Sequence, residues 1–151
     1  MHSNEELAAL AVELIAAGSH FTRAAYQASG MELSNVSMRA LAALEREPGL
    51  RIGELAAREG IRQPSMSQAM KRLVDDGYAT RHTADDDARA TALTITDAGR
   101  EVLRSYRAAA AEAVAPVFEP LKPEDVATLK RAAELLPELT AELKQREGGR
   151  E

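Results

Sequence analysis

The sequence predicts a mainly helical protein in which four helices, a β-hairpin and two further helices follow in order. Three observations carry that expectation. The chain of 151 residues contains 30 alanines and only 3% aromatics, and alanine is the best helix former and a poor strand former. Apolar residues recur at steps of three and four through most of its length. One stretch, from about residue 78 to 96, instead has the Thr-rich, β-branched composition of paired strands.

Ser3 and Glu6 have capping-box spacing and open a first helix that runs to about Ala28. Its residues Leu7, Leu10, Leu14, Ala17, Phe21 and Ala24 form a heptad-like stripe suited to packing along another helix. Ser34 caps a second helix with Val36, Ala40, Leu41 and Leu44 on its buried side, and Pro48-Gly49 stops it. A short third helix covers about Ile52–Glu59 and ends at Gly60; a fourth starts at Pro64 and ends at Gly77. Tyr78–Thr83 and Ala90–Thr96 then read as strands around the acidic run Asp85-Asp86-Asp87, with Leu93 and Ile95 on one face. Thr96 caps a long fifth helix from Asp97, expected to kink at Pro116 and end at Pro120. The last helix starts at Pro123. Its stripe Val126, Leu129, Ala133, Leu136, Leu139 and Leu143 is interrupted by Pro137, where a kink or break is expected. Residues 147–151 read as a disordered tail.

Composition removes several function classes. With no cysteine, the chain has no disulfide scaffold, thiolate zinc site, Cys nucleophile or thiol-oxidation sensor. His2, His20 and His82 lie far apart and lack metal-ligand spacing. No nucleophile-elbow pattern or Gly-rich phosphate loop is present, so neither an enzyme nor a cofactor site is expected. The apolar stretch Leu7–Gly18 is short and carries Glu13, which fits neither a membrane span nor a signal peptide, and a cytoplasmic location is expected.

The formal net charge of −5 argues at first against a nucleic-acid partner, but charge is unevenly spread. From Arg51 to Arg81 six basic residues face four acids, leaving that segment at +2 and the remainder at −7. Within it, the third helix, the Gly60-Ile61 turn and the fourth helix form a helix-turn-helix, and the hairpin that follows is a wing. At about 100° per residue, Met66, Met70, Leu73 and Val74 of the fourth helix fall on one side and face the core. Pro64, Gln68, Lys71, Arg72 and Asp75 fall on the other, with Ser65 and Ser67 on the flanks. Gln reads adenine edges, Ser serves several bases, and Lys or Arg reaches guanine or phosphate. Arg62 and Gln63, at the helix start, are placed for base or phosphate contact, since N-terminal residues of a recognition helix enter the groove.

The run "IGELAAREGIRQPSMSQAMKRLVDDGYATR" followed by "DDDARATALTITDAG" resembles the winged helix-turn-helix of the multiple-antibiotic-resistance regulator (MarR) family. Glu54-Leu55-Ala56, Ser67, Leu73, Gly77, Arg81, Asp87-Ala88-Arg89 and Thr96-Asp97-Ala98-Gly99 occupy that family's motif positions. Ile95 replaces the usual Leu, Ala84 an earlier wing Asp, and Ala88 a second Arg. The segments "SNVSMRALAAL" and "PLKPEDVATL" extend the resemblance to most of the chain.

The resemblance implies a winged helix-turn-helix DNA-binding region over residues 34–99, with its recognition helix at about 64–76 and its wing at about 78–96. It implies a helical dimerisation region from residues 1–33 and 100–146, for which the heptad-like stripes supply a surface. The function implied is that of a bacterial homodimeric repressor bound to a pseudo-palindromic operator and released by an aromatic or lipophilic effector; no residue is assigned to the effector. Arg89 would enter the minor groove. The candidate DNA contacts are thus Arg62, Gln63, Ser65, Ser67, Gln68, Lys71, Arg72 and Arg89. The acidic wing and net charge leave a second possibility open: a winged-helix protein-interaction module that binds no specific DNA. Salt dependence separates the two, because counterion release marks phosphate contact.

Overall fold

Short capping residues set the helix boundaries in the computed structural model, which describes residues 1–148. Its elements are α1 (Asn4–Ala28), α2 (Asn35–Arg46), β1 (Leu50–Arg51), α3 (Ile52–Glu59), α4 (Gln63–Asp75), β2 (Ala79–Ala84), β3 (Asp87–Ile95), α5 (Asp97–Phe118) and α6 (Pro123–Gly148). At the start of α1, Ser3 Oγ accepts from the Glu6 amide at 3.1 Å while the Ser3 amide donates to the Glu6 carboxylate at 2.7 Å. These bonds hold the Glu6 carboxyl below the usual carboxylate range, the Ser3 backbone contributing most. At α2, Ser34 Oγ accepts from the Ser37 amide at 3.1 Å, and its hydroxyl donates to Ser37 Oγ at 3.0 Å. The buried Ser37 hydroxyl is thereby partnered.

The chain divides into two compact units, Met1–Ala113 and Val114–Glu151. The first unit carries the core. Leu41 and Leu44 of α2, Leu55 of α3, Met66, Met70 and Leu73 of α4, and Leu93 of β3 are fully buried. Leu103 and Tyr106 of α5 join the same cluster. Each such apolar side chain contributes roughly 1.5–3 kcal/mol of burial. In α1 no residue is buried. Its C-terminal Tyr26 packs on the core and meets Tyr106 with ring centroids 4.7 Å apart. In the second unit, Leu129, Leu136, Leu139 and Leu143 of α6 are exposed.

The sheet has strand order β1-β3-β2, antiparallel throughout. Strand β1 was not expected from the sequence. Its two residues pair Leu50 with Leu93 and Arg51 with Ala92, and a strand of that length has no readable alternation. In the hairpin the register runs from Ala79↔Ile95 to Thr83↔Thr91, then jumps to Ala84↔Asp87. Residues 88–90 are therefore an unpaired excursion of β3, a bulge that re-aims the side chains on it.

Four expectations are corrected. Helix α4 starts at Gln63 with Arg62 as its N-cap, so Pro64 is the second helical residue. Neither of those positions has an intrahelical acceptor, so a missing N–H is equally tolerated at both. Asp87 belongs to β3 rather than to the hairpin tip, because it pairs with Ala84. Helix α6 is not broken at Pro137 and continues to Gly148. Proline there removes one ladder hydrogen bond, and the helix continues on both sides of it. Residues 147 and 148, expected in the disordered tail, are helical, while residues 149–151 of that expectation lie outside the described residues. Helix α5 continues through Pro116 to Phe118.

Candidate nucleic-acid interface

A left-handed Gly60 (φ +60°) ends α3, and the Ile61 amide donates back to the Ala56 carbonyl at 2.9 Å. Only glycine adopts that conformation without a Cβ penalty, and it turns the chain sharply into α4. Helix α4 then divides as its angular pattern predicts. Met66, Met70 and Leu73 are buried and anchor it, Ala69 joins them, and Val74, expected on the same side, is half-buried against the core. Arg62, Gln63, Ser65, Gln68, Lys71 and Arg72 are exposed, whereas Ser67 is only half-buried. At the far end Gly77 (φ +80°) leads into the wing, and the Tyr78 amide closes on the Leu73 carbonyl at 2.8 Å.

Ser65, Gln68, Lys71 and Arg72 share a groove of about 590 Å³ with Asp75, Asp76 and the N-terminal turn of α2, where Ser34, Val36 and Ser37 form the opposite wall. The sequence placed Gln68, Lys71 and Arg72 on one outward face with Ser65 on its flank; it did not show that α2 flanks them. Gln63 sits apart, its Oε1 3.9 Å from the position a Cβ would take on Gly53. Arg62 is the N-cap of α4 and makes no side-chain cap bond. Arg89 lies on the β3 excursion, its amide donating to Asp87 Oδ1 at 2.9 Å, an Asx-type turn that fixes the backbone while the side chain stays exposed. Arg89 thus stands on the β2–β3 hairpin and is not among the residues that line the α4 groove.

The cations of this region fall into two classes. Lys71 Nζ lies 2.8 Å from Asp75 Oδ2, and Arg72 Nε 3.8 Å from Asp76 Oδ2. Arg51, outside the expected contact set, reaches Asp86 at the wing tip at 2.6 Å. Arg62, Arg81 and Arg89 have no side-chain ion pair or hydrogen bond among the described residues. The i,i+4 spacing of Lys71 with Asp75 and Arg72 with Asp76 was a visible signal for the first two pairs. Nothing local to Arg51 signals its pairing with Asp86, 35 residues away.

Other pairs brace the scaffold behind the groove. Arg39 donates to both the Glu59 carboxylate, at 3.1 Å, and the Glu59 backbone carbonyl, and Arg46 lies 3.5 Å from the same side chain. These tie α2 to the end of α3. On the wing, the His82 ring contacts the Thr94 hydroxyl at 2.6 Å and the Thr83 carbonyl at 3.1 Å. No described helix is long and apolar enough to cross a membrane.

Residues 29–90 match the profile of the MarR family. An uncharacterized HTH-type transcriptional regulator of Mycobacterium leprae is 32% identical over 114 residues, covering 76% of this chain and 78% of that protein. A putative transcriptional regulator of Pseudomonas aeruginosa superposes with a TM-score of 0.72 at 25% identity, over 93% of this chain and 98% of that one. A mutant MarR from E. coli gives a TM-score of 0.69 over 90% of this chain and 97% of that one; at 14% identity this likeness concerns the fold alone.

Proposed function

The chain belongs to the MarR family of DNA-binding transcriptional regulators, which are not enzymes, and from that premise we propose that it is a homodimeric repressor of a pseudo-palindromic operator. The observation that carries the proposal is the division of α4. One side is anchored by Met66, Met70 and Leu73, and the other presents Ser65, Gln68, Lys71 and Arg72 to solvent. Gln68 and the two cations read base edges or phosphates from the major groove. Arg62, Gln63, Ser65 and Ser67 serve the N-terminal end that enters it. Arg89, exposed and unpaired among the described residues, takes the adjacent minor groove.

Dimerisation is supported by apolar side chains left in water. Leu10 is 59% exposed, Leu14 43%, Leu139 50% and Leu143 65%. Burying such stripes against a second copy gives a core free of polar groups. In this scheme residues 1–33 and 100–146 hold the dimer and residues 34–99 bind DNA. An aromatic or lipophilic effector releases the operator by binding one spacing of the two recognition helices better than the other. The protein acts in the cytoplasm, where its DNA lies.

The acidic turn Asp85-Asp86 and the net charge of −5 favour one alternative, a winged-helix module that binds another protein. Selection of random duplex DNA by the purified protein at two salt concentrations separates them. A pseudo-palindromic site with half-sites about one turn apart supports the repressor. No enrichment even at low salt supports the interaction module.

A further inference from the structure

We propose that Asp75 and Asp76 are tethered counterions of the recognition helix, which DNA phosphates must displace before Lys71 and Arg72 can bind. The inference rests on the reading of α4 as the DNA-contacting helix. Lys71 and Arg72 are the two cations of the α4 groove, and each faces a carboxylate four residues on, at 2.8 and 3.8 Å. Asp75 is the last residue of α4 and Asp76 its C-cap. Carboxylates at a helix C-terminus are opposed by the helix dipole, so helix stability does not account for two of them there. Their partners do account for them.

The consequence is thermodynamic. A cation that binds a phosphate releases a condensed counterion from DNA, and each such contact steepens the logarithmic salt dependence by about 0.9. Where the cation must first leave a carboxylate, the freed carboxylate takes up a cation from solution. The two exchanges oppose each other, so Lys71 and Arg72 contribute little to the salt slope and less to affinity. Arg62 and Arg89, unpaired among the described residues, contribute fully. Affinity for arbitrary DNA, which is almost wholly electrostatic, is thereby held down on the face that reads sequence.

The test is fluorescence anisotropy of a random-sequence duplex across a salt series. It compares wild type, Asp75→Asn with Asp76→Asn, and a charge-matched control, Glu32→Gln with Glu119→Gln, two exposed loop acids without an ion pair among the described residues. The expected result is that the aspartate variant binds about tenfold tighter near 0.1 M salt and that its slope steepens by between one and two. The control should match wild type. An unchanged slope in the aspartate variant overturns the inference, as does an equal gain in the control, which would reduce the effect to net charge. Circular dichroism of each variant secures the comparison against misfolding. Should no protein, wild type included, bind any duplex at low salt, the DNA-contacting role of α4 falls and takes this inference with it.

Discussion

The Thr96 hydroxyl donates a 2.7 Å hydrogen bond to the Gly77 carbonyl, joining the turn after α4 to the start of α5 across the base of the wing. The same oxygen accepts from the Gly99 amide at 3.0 Å, which makes Thr96 the N-cap of α5. A third bond runs from the Thr96 amide to the Tyr78 carbonyl at 3.1 Å. One threonine thus holds helix, strand and helix together.

Gly99 is what allows that approach. A Cβ there would stand 2.1 Å from the Tyr78 carbonyl oxygen and 2.8 Å from Ile95 Cγ1. The first neighbour is backbone and cannot rotate away. Gly99→Ala is therefore expected to destabilise the protein by about 1–3 kcal/mol, the usual range for overpacking, despite the better helix propensity of alanine. Thermal denaturation followed by circular dichroism checks this; an unchanged or raised melting temperature would mean that α5 can slide off the wing without loss.

Arg89→Ala should weaken operator binding and chiefly reduce preference for A·T-rich flanks, because the bulge at residues 88–90 carries this side chain out of the β ladder. Its salt slope should fall by about one, as expected when a cation without an intramolecular partner is lost. Anisotropy with duplexes that differ only in their flanks reads both effects. Unaltered affinity and flank preference would remove the wing from the interface.

Legibility followed the length scale of each interaction. The caps at Ser3, Ser34 and Thr96, the turn at Gly60 and the buried side of α4 depend on residues within one or two turns, and the sequence displays them. Strand β1 exists only because Leu50 meets Leu93 and Arg51 meets Ala92, more than 40 positions away. At Pro137 a local rule forecast a kink or a break, and α6 runs on through that residue without a break. At the candidate interface the exposed residues of α4 were legible from angle alone. The α2 wall of their groove and the tie from Arg51 to Asp86 were not, since both are tertiary contacts.

Gln68→Ala is the sharpest probe of base reading. The side chain is exposed in the groove between Ser65 and Lys71, and no internal hydrogen bond ties it down among the described residues. A bidentate glutamine contact discriminates by roughly 1–3 kcal/mol at one base pair. The variant should relax preference at one position in each half-site while retaining its affinity for non-operator DNA. Repeating the random-duplex selection with it measures this; equal losses on every sequence would reassign Gln68 to the phosphate backbone.

The dimer is tested by charging α1. Leu10 and Leu14 lie one turn apart on the stripe and both are exposed, so glutamates there leave the packed core of the first unit untouched. Leu10→Glu with Leu14→Glu should give a folded monomer by light scattering, with an unchanged far-ultraviolet spectrum per residue. Operator affinity should then fall by 100-fold or more, because the second half-site is no longer bound intramolecularly; estimates for linked sites are of order 10²–10⁴. Affinity for an isolated half-site should change far less. A variant that remains dimeric would exclude the α1 stripe from the interface and leave the exposed leucines of α6 as the surface to charge next.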